Sequence, residues 1–311
     1  MSRPYTETPQ NYNEIKSLLI TDLRDITREI ISAGKISFYD TCAFRRHANL
    51  DEKWKERIIS FFKDNNSIIV ITRIILMELA SSSGIINEEY IVYFTLLVNA
   101  GVKVVLLNEE NLFEVLSECF STNSEVNKYL LWAVRMGKSP ISTITNMLED
   151  NAELSEEILD GKRLNHSDLY FRFFSIARDN KEKGDNLGEE LIGICTFILS
   201  YLPGMFDGRI WVFTEDKDAA SKIHSMFFNT NPNHKGARVL LFSTPKIAQY
   251  IYQEGMKLTE NDIIELFANH PGYISVLGTM PYDLDANEYK FKSAKEFAQM
   301  ILEPNRINII F

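Results

Sequence analysis

The chain has 311 residues, 45% of them hydrophobic, with a formal net charge of −10. That length and apolar share suit one large domain, or a domain with an extension, built around a real core. The acidic balance argues against broad, nonspecific affinity for RNA or DNA, whose binders are usually basic, but leaves room for a local basic groove.

Residues 1–10, with Pro4 and Pro9 in a polar setting, read as disordered. Residues 11–32 predict an amphipathic helix carrying Ile15, Leu18, Leu19, Leu23, Ile26 and Ile30 near helical spacing, with Gly34 at its end. Residues 1–32 are thus an N-terminal extension. Residues 36–39 predict a short strand and 51–63 a helix with Trp54, Ile58, Ile59 and Phe62 on one side. The β-branched run 68–71 predicts a second strand. Thr72 is placed to cap the helix after it. A helix over 87–99 ends at Gly101, and 102–107 predict a third strand. Residues 109–185 then break the alternation: they are polar, helical in pattern and strand-free, and read as an insertion. Its ends tie it to the sheet's edge, and its removal is expected to alter substrate choice before it alters the core.

Alternation returns with a helix over 187–202, a strand at 210–213, a helix at 216–227, a strand at 239–242 and a helix opening at Thr244-Pro245, where proline suits the first turn. Repeated strand and helix argue an α/β fold with a doubly wound parallel sheet. Residues 254–311 read as a small α/β extension, starting with a capping-box pattern at Thr259-Glu260-Asn261-Asp262.

Four acidic stations stand out against this pattern. Asp40 follows the first strand directly, where sites of parallel sheets lie, although it is equally placed to cap a helix. Glu78 sits in the apolar segment Ile75-Leu76-Met77-Glu78-Leu79, where a buried carboxylate needs a partner; the alternative is a helix that turns Arg73 and Glu78 outward. Glu189 and Glu190 open a helix that is apolar nearly all round, though acids also favour helix starts through the macrodipole. Asp216 and Asp218 follow the strand 210–213 in Thr214-Glu215-Asp216-Lys217-Asp218, which also reads as a polar turn. Carboxylates gathered at one sheet edge repel one another unless divalent cations sit between them. That logic points to a metal-dependent phosphodiesterase.

Other chemistry has weaker support. His47, His166, His224, His234 and His270 show no ligand spacing, and no zinc, nucleophile-elbow or phosphate-loop motif is present. A haloacid-dehalogenase-type phosphatase would place an Asp at position 42, which is Cys. The aromatic run Tyr170-Phe171-Arg172-Phe173-Phe174 can stack bases but reads first as a packed helix. No apolar run reaches the roughly 18 residues of a membrane helix, and no signal-peptide pattern opens the chain. Cys42, Cys119 and Cys195 are spaced as buried thiols of a reducing compartment. The expected setting is the cytoplasm, away from membranes.

Taken in order, the stations resemble the PIN-domain nuclease family, which includes the VapC toxins. The matching segments are Phe38-Tyr39-Asp40-Thr41, the helix Thr72-Arg73-Ile74-Ile75-Leu76-Met77-Glu78-Leu79, Leu187-Gly188-Glu189-Glu190-Leu191, and the Thr-x-Asp-x-Asp turn at Thr214 to Asp218. The resemblance covers about 33–253 with the insertion set aside. It implies a five-stranded parallel sheet and one or two Mg²⁺ or Mn²⁺ ions held by Asp40, Glu78, Glu189 and Asp216, with Asp218 as a further ligand. Thr41, Thr214 and Glu190 would support these ligands. The implied activity is hydrolysis of RNA, with DNA as the alternative, in a toxin or an RNA-processing or defence nuclease. An antitoxin or other protein partner, and oligomers, are compatible with it. Lys35, Arg45, Arg46, Arg73 and Lys217 are placed to contact phosphates, or to be solvated surface charges. The insertion and tail depart from the shorter VapC pattern. With the acidic charge, they favour the rival expectation, a catalytically weak interaction module on the same fold.

Overall fold

The computed structural model describes residues 5–138, 142–228, 236–268, 272–281, 283–303 and 306–311. The expectation of disorder at residues 1–4, and the readings of Ser139, Pro140, His234 and His270, lie outside the described residues.

Five strands form one all-parallel sheet: β1 Lys35–Tyr39, β2 Ser67–Thr72, β3 Val104–Leu107, β4 Ile210–Phe213 and β5 Leu240–Phe242, in the order β3-β2-β1-β4-β5. Apart from Leu240 at the start of the edge strand β5, their Ile, Val, Leu and Phe runs are buried on both faces, as a helix-covered parallel sheet requires. Phe38 of β1 lies opposite Val70 of β2 and Val212 of β4. The chain winds from β1 outward to β3, then returns to lay β4 against the other side of β1. The gap beyond the carboxyl ends of β1 and β4 is therefore the sheet's switch point, where the diverging connections leave a crevice.

Before β1 the sequence predicts one helix, and the structure holds two, α1 Tyr12–Lys16 and α2 Leu23–Ser32. The Asp22 carboxylate accepts the N–H groups of Arg24 and Asp25 and starts the second helix afresh. Between them the Ile20 N–H donates to the Val104 carbonyl (2.8 Å), and Ile20 pairs with Val105, which covers the β3 edge.

Helices α3 Thr41–Ala48 and α4 Glu52–Asp64 link β1 to β2, and α5 Arg73–Ala80 and α6 Glu88–Asn99 link β2 to β3. The long connection to β4 carries α7 Leu112–Ser117, α8 Asn123–Gly137, α9 Thr143–Asp150, α10 Ala152–Leu159, α11 Leu169–Asp179 and α12 Leu187–Leu199. It holds no strand among the described residues, as the polar pattern predicts. Its inner faces, among them Leu130, Val134, Tyr170 and Phe173, join the same apolar core as the sheet. Every residue of α12 is buried except Glu189, so this helix is wrapped between the sheet and the insertion. Helices α13 Lys217–Phe228 and α14 Thr244–Gln253 complete the sheet's cover.

The tail consists of α15 Glu260–Leu266, β6 Ile274–Met280, β7 Asp283–Phe291, α16 Ala294–Leu302 and β8 Asn308–Ile309, with an antiparallel sheet in the order β7-β6-β8. The predicted capping box is present between Thr259 and Asp262. Asp262 also draws in Lys53 and Arg57 of α4, and its carbonyl accepts the Trp54 indole N–H (2.8 Å). These contacts seat the extension on the main unit.

Candidate functional site

A cleft of about 340 Å³ opens at the switch point, and Asp40, Glu78, Glu189 and Asp216 all line it. Segments far apart in sequence thus converge at one edge of the sheet. Asp185 also lines the cleft, against the cations Arg45 and Lys181. The lining is acidic, with five carboxylates facing two cations.

Asp40 is placed by both strand and helix. Its N–H continues the sheet ladder to the Phe213 carbonyl (2.8 Å), and its side chain caps α3. Oδ1 accepts the Thr41 N–H (2.7 Å), and Oδ2 accepts the Thr214 hydroxyl and the Cys42 thiol (2.8 Å each). The helix-cap reading and the site reading of Asp40 therefore hold together. Burial, with Asp40 beside it, pushes the Cys42 thiol far up, so it stays a neutral donor.

Glu78 points from α5 into the cleft. Oε1 pairs with the Lys181 ammonium (2.7 Å), and Oε2 accepts the Thr41 hydroxyl in a short hydrogen bond. Burial raises the Glu78 pKa, while Lys181 and Thr41 hold part of that rise back. Gly188 of α12 lies against this carboxylate: a Cβ there would stand 2.6 Å from Oε1. The glycine before Glu189 thus lets α12 approach α5.

Glu189 is the half-buried member of its pair. Burial is the main cause that pushes its pKa up to about 7. Lys222, 2.9 Å from Oε1, opposes the rise, and Asp216 and Asp40 add to it. Glu190 accepts the N–H groups of Thr143 (3.2 Å) and Ile144 (3.0 Å) at the start of α9, and also meets the Lys222 ammonium (3.5 Å) that pairs with Glu189. It holds the insertion and does not line the cleft. Asp216 caps α13 by accepting the N–H groups of Asp218 (2.7 Å) and Ala219 (3.2 Å). Its own N–H donates to Thr214 Oγ1 (3.1 Å), so Thr214 links Asp216 to Asp40.

Several expected contacts fall elsewhere. Asp218 is exposed and, unlike the other acids expected as ligands, does not line the cleft. Of the basic residues expected to contact phosphates, Arg45 lines the cleft: one guanidinium nitrogen donates to the Glu78 carbonyl (2.6 Å) and its buried Nε has no hydrogen-bond partner among the described residues. Arg46 lies 3.7 Å from Glu215 and over the Phe267 ring, and Arg73 donates to Asn108 and to the Glu7 carbonyl. Lys217 pairs with Glu288 and Ser275 of the tail. Lys35 stands at the start of β1, at the far edge of the sheet, and donates to the Gly208 carbonyl (2.8 Å). The sequence offers these charges to phosphates, but the fold uses them to tie its parts together. Thr72 makes no side-chain cap, and the buried Glu109 carboxylate accepts the Ile74 N–H (2.8 Å) in its place.

Sequence reasoning misses Lys181, Asp185, Lys222 and Tyr5. Lys181 and Asp185 lie in polar runs that look like solvated turns, and Lys222 looks like an ordinary surface helix charge. Their only signal is indirect, since gathered carboxylates need positive partners. Although burial lowers it, the Lys181 pKa stays above the ordinary lysine value, because Glu78 and Asp185 favour its charge.

Oxygen-only donors suit a hard divalent cation such as Mg²⁺ or Mn²⁺ in kind. Their spacing does not yet make a metal centre: among the described residues, no three His, Cys, Asp or Glu side chains stand close enough to hold one ion. Glu78 and Glu189 are each engaged by an ammonium group instead. Comparison with known protein families, curated proteins and solved structures finds no match for this chain.

Proposed function

We propose that the chain is a metal-dependent phosphodiesterase of PIN-domain type that cleaves RNA at the carboxylate cleft. One observation carries this reading: four carboxylates from separate parts of the chain line one cleft at the switch point of a parallel sheet. So acidic a lining repels a phosphodiester and needs added positive charge before a nucleic acid can enter. Asp40, Glu189 and Asp216 offer oxygen donors of the right kind, and Mg²⁺ or Mn²⁺, were they drawn in around them, would supply an activated water and charge neutralisation at the phosphate. The protein's own groups set the stage. Thr214 fixes Asp40 and orders the Asp216 backbone, Thr41 and Lys181 fix Glu78, and Arg45, bonded to the Glu78 carbonyl, brings a positive charge to the cleft.

A second reading, an interaction module on the same fold, is favoured by the Lys181–Glu78 and Lys222–Glu189 pairs, which balance part of the acidic charge without metal. Cleavage of single-stranded RNA, structured RNA and DNA in Mn²⁺ and in EDTA, with Asp40→Asn alongside, separates the two. The nuclease reading expects Mn²⁺-dependent cleavage of RNA that Asp40→Asn lowers by roughly a hundredfold or more. Equal residual cleavage by both proteins favours the module.

A further inference from the structure

Lys181 is a cation built into an acidic cleft. Its side chain is 3% exposed, pairs with Glu78 (2.7 Å) and Asp185, and lies 5.5 Å from the centre of the Tyr5 ring. An ammonium so placed is held, since leaving it unpaired in this surrounding would be costly. Its backbone is fixed as well. Arg178, near the end of α11, is equally buried and is clamped by Glu7, Glu109 and Glu110. The Glu78 carboxylate has little freedom of its own. One oxygen takes the Thr41 hydroxyl, and the oxygen that faces Lys181 has Gly188 packed against it. Glu189 is held more loosely: its partner Lys222 on α13 is 33% exposed.

We propose that Lys181 is the resident counter-cation of the Glu78 side of the cleft and excludes a divalent metal ion from that carboxylate. The inference rests on the cleft reading above but concerns only which carboxylates are open to an ion. Removing the ammonium leaves Glu78 and Asp185 as facing hard-oxygen donors with an unbalanced charge, which is the demand that a divalent cation meets.

The test is calorimetric titration of the full chain with Mn²⁺, paired with melting curves in Mn²⁺ and in EDTA. Glu78→Gln is expected to bind as many Mn²⁺ ions as the unaltered protein. Lys181→Met is expected to bind about one more, with an added rise in melting temperature of roughly 2–4 °C at tenfold excess over the dissociation constant. Lys181→Gln, which removes the charge but keeps a hydrogen-bond donor, takes its place if the Met variant does not fold. Loss of Mn²⁺ binding in Glu78→Gln overturns the inference, and so does a Lys181 variant that binds no more Mn²⁺ than the unaltered protein. The two proposals fail separately. Binding by the lysine variant alone keeps the inference and removes metal-dependent catalysis. RNA cleavage whose metal is lost in Glu78→Gln keeps the nuclease and removes the inference.

Discussion

Single side chains in this protein do two jobs at once, and the buried polar groups show it best. Asp40 caps α3 and lines the cleft, and Thr214 holds Asp40 while it receives the Asp216 N–H. His47 shows the cost of such burial. It is fully buried, with Nδ1 2.7 Å from the Tyr39 hydroxyl and Nε2 3.3 Å from the Thr244 hydroxyl. Burial first, then Arg46, brings its pKa down to about 3. The Glu215 carboxylate joins this network by accepting the Thr244 hydroxyl. A histidine with a depressed folded pKa contributes stability above its unfolded value of about 6.5, and that stability is lost as pH falls toward 3. Denaturant unfolding at pH 7 and at pH 4 is therefore expected to show an acid loss with a slope of up to about 1.4 kcal/mol per pH unit from this group. His47→Gln is expected to be less stable at pH 7 by roughly 1–3 kcal/mol, yet to have a flatter acid limb. Parallel acid limbs in the two proteins would show that His47 is not held neutral.

At the scale of elements, the meeting of α12 with α5 and the insertion decides what the two neighbouring glutamates do. Gly188→Ala places a methyl where the Glu78 carboxylate lies, although alanine itself favours a helix by about 1 kcal/mol over glycine. The variant is expected to melt within roughly 3 °C of the unaltered protein and to lose tenfold or more of any RNA cleavage. Unchanged cleavage would mean that the position of Glu78 is immaterial. Glu190→Ala is expected to do the reverse. It removes the acceptor for two N–H groups at the start of α9, a loss of roughly 0.5–2 kcal/mol, and leaves cleavage near its original rate. A collapse of cleavage with stability intact would put Glu190 in the site. The strands and the acids after them were legible in the sequence, because β-branched runs and strand-end positions are local signals. The break between α1 and α2 was not, since it depends on Ile20 meeting Val105, far along the chain. The choice between Glu189 and Glu190 was not legible either, because it is made by α9.

Across the whole molecule, charge and core both bind the insertion to the sheet. The sequence suggests a removable block between the third strand and Glu189, because its composition is polar and strand-free. The structure gives it work that composition does not reveal. Glu109, fully buried at its start, accepts the Ile74 N–H of α5 and pairs with Arg178 near its end. Arg178 also binds Glu110 and Glu7, so the N-terminal segment, β3 and α11 share one knot. The insertion covers the outer side of α12, every residue of which is buried except Glu189. Replacing residues 109–185 with a short linker would expose that side and leave Glu7 and the start of α5 without their partners. At about 25 cal/mol per Å², uncovering even a few large side chains approaches the net stability of an ordinary domain. The shortened chain is therefore expected to be insoluble, or to lack a cooperative melt by circular dichroism. Arg178→Met, which cuts the knot but keeps the apolar cover, is expected to stay folded with a lower melting temperature. A soluble deletion variant with a sharp melt would show that β1–β5 and α12 form a self-sufficient core, and that the insertion is an accessory to the cleft.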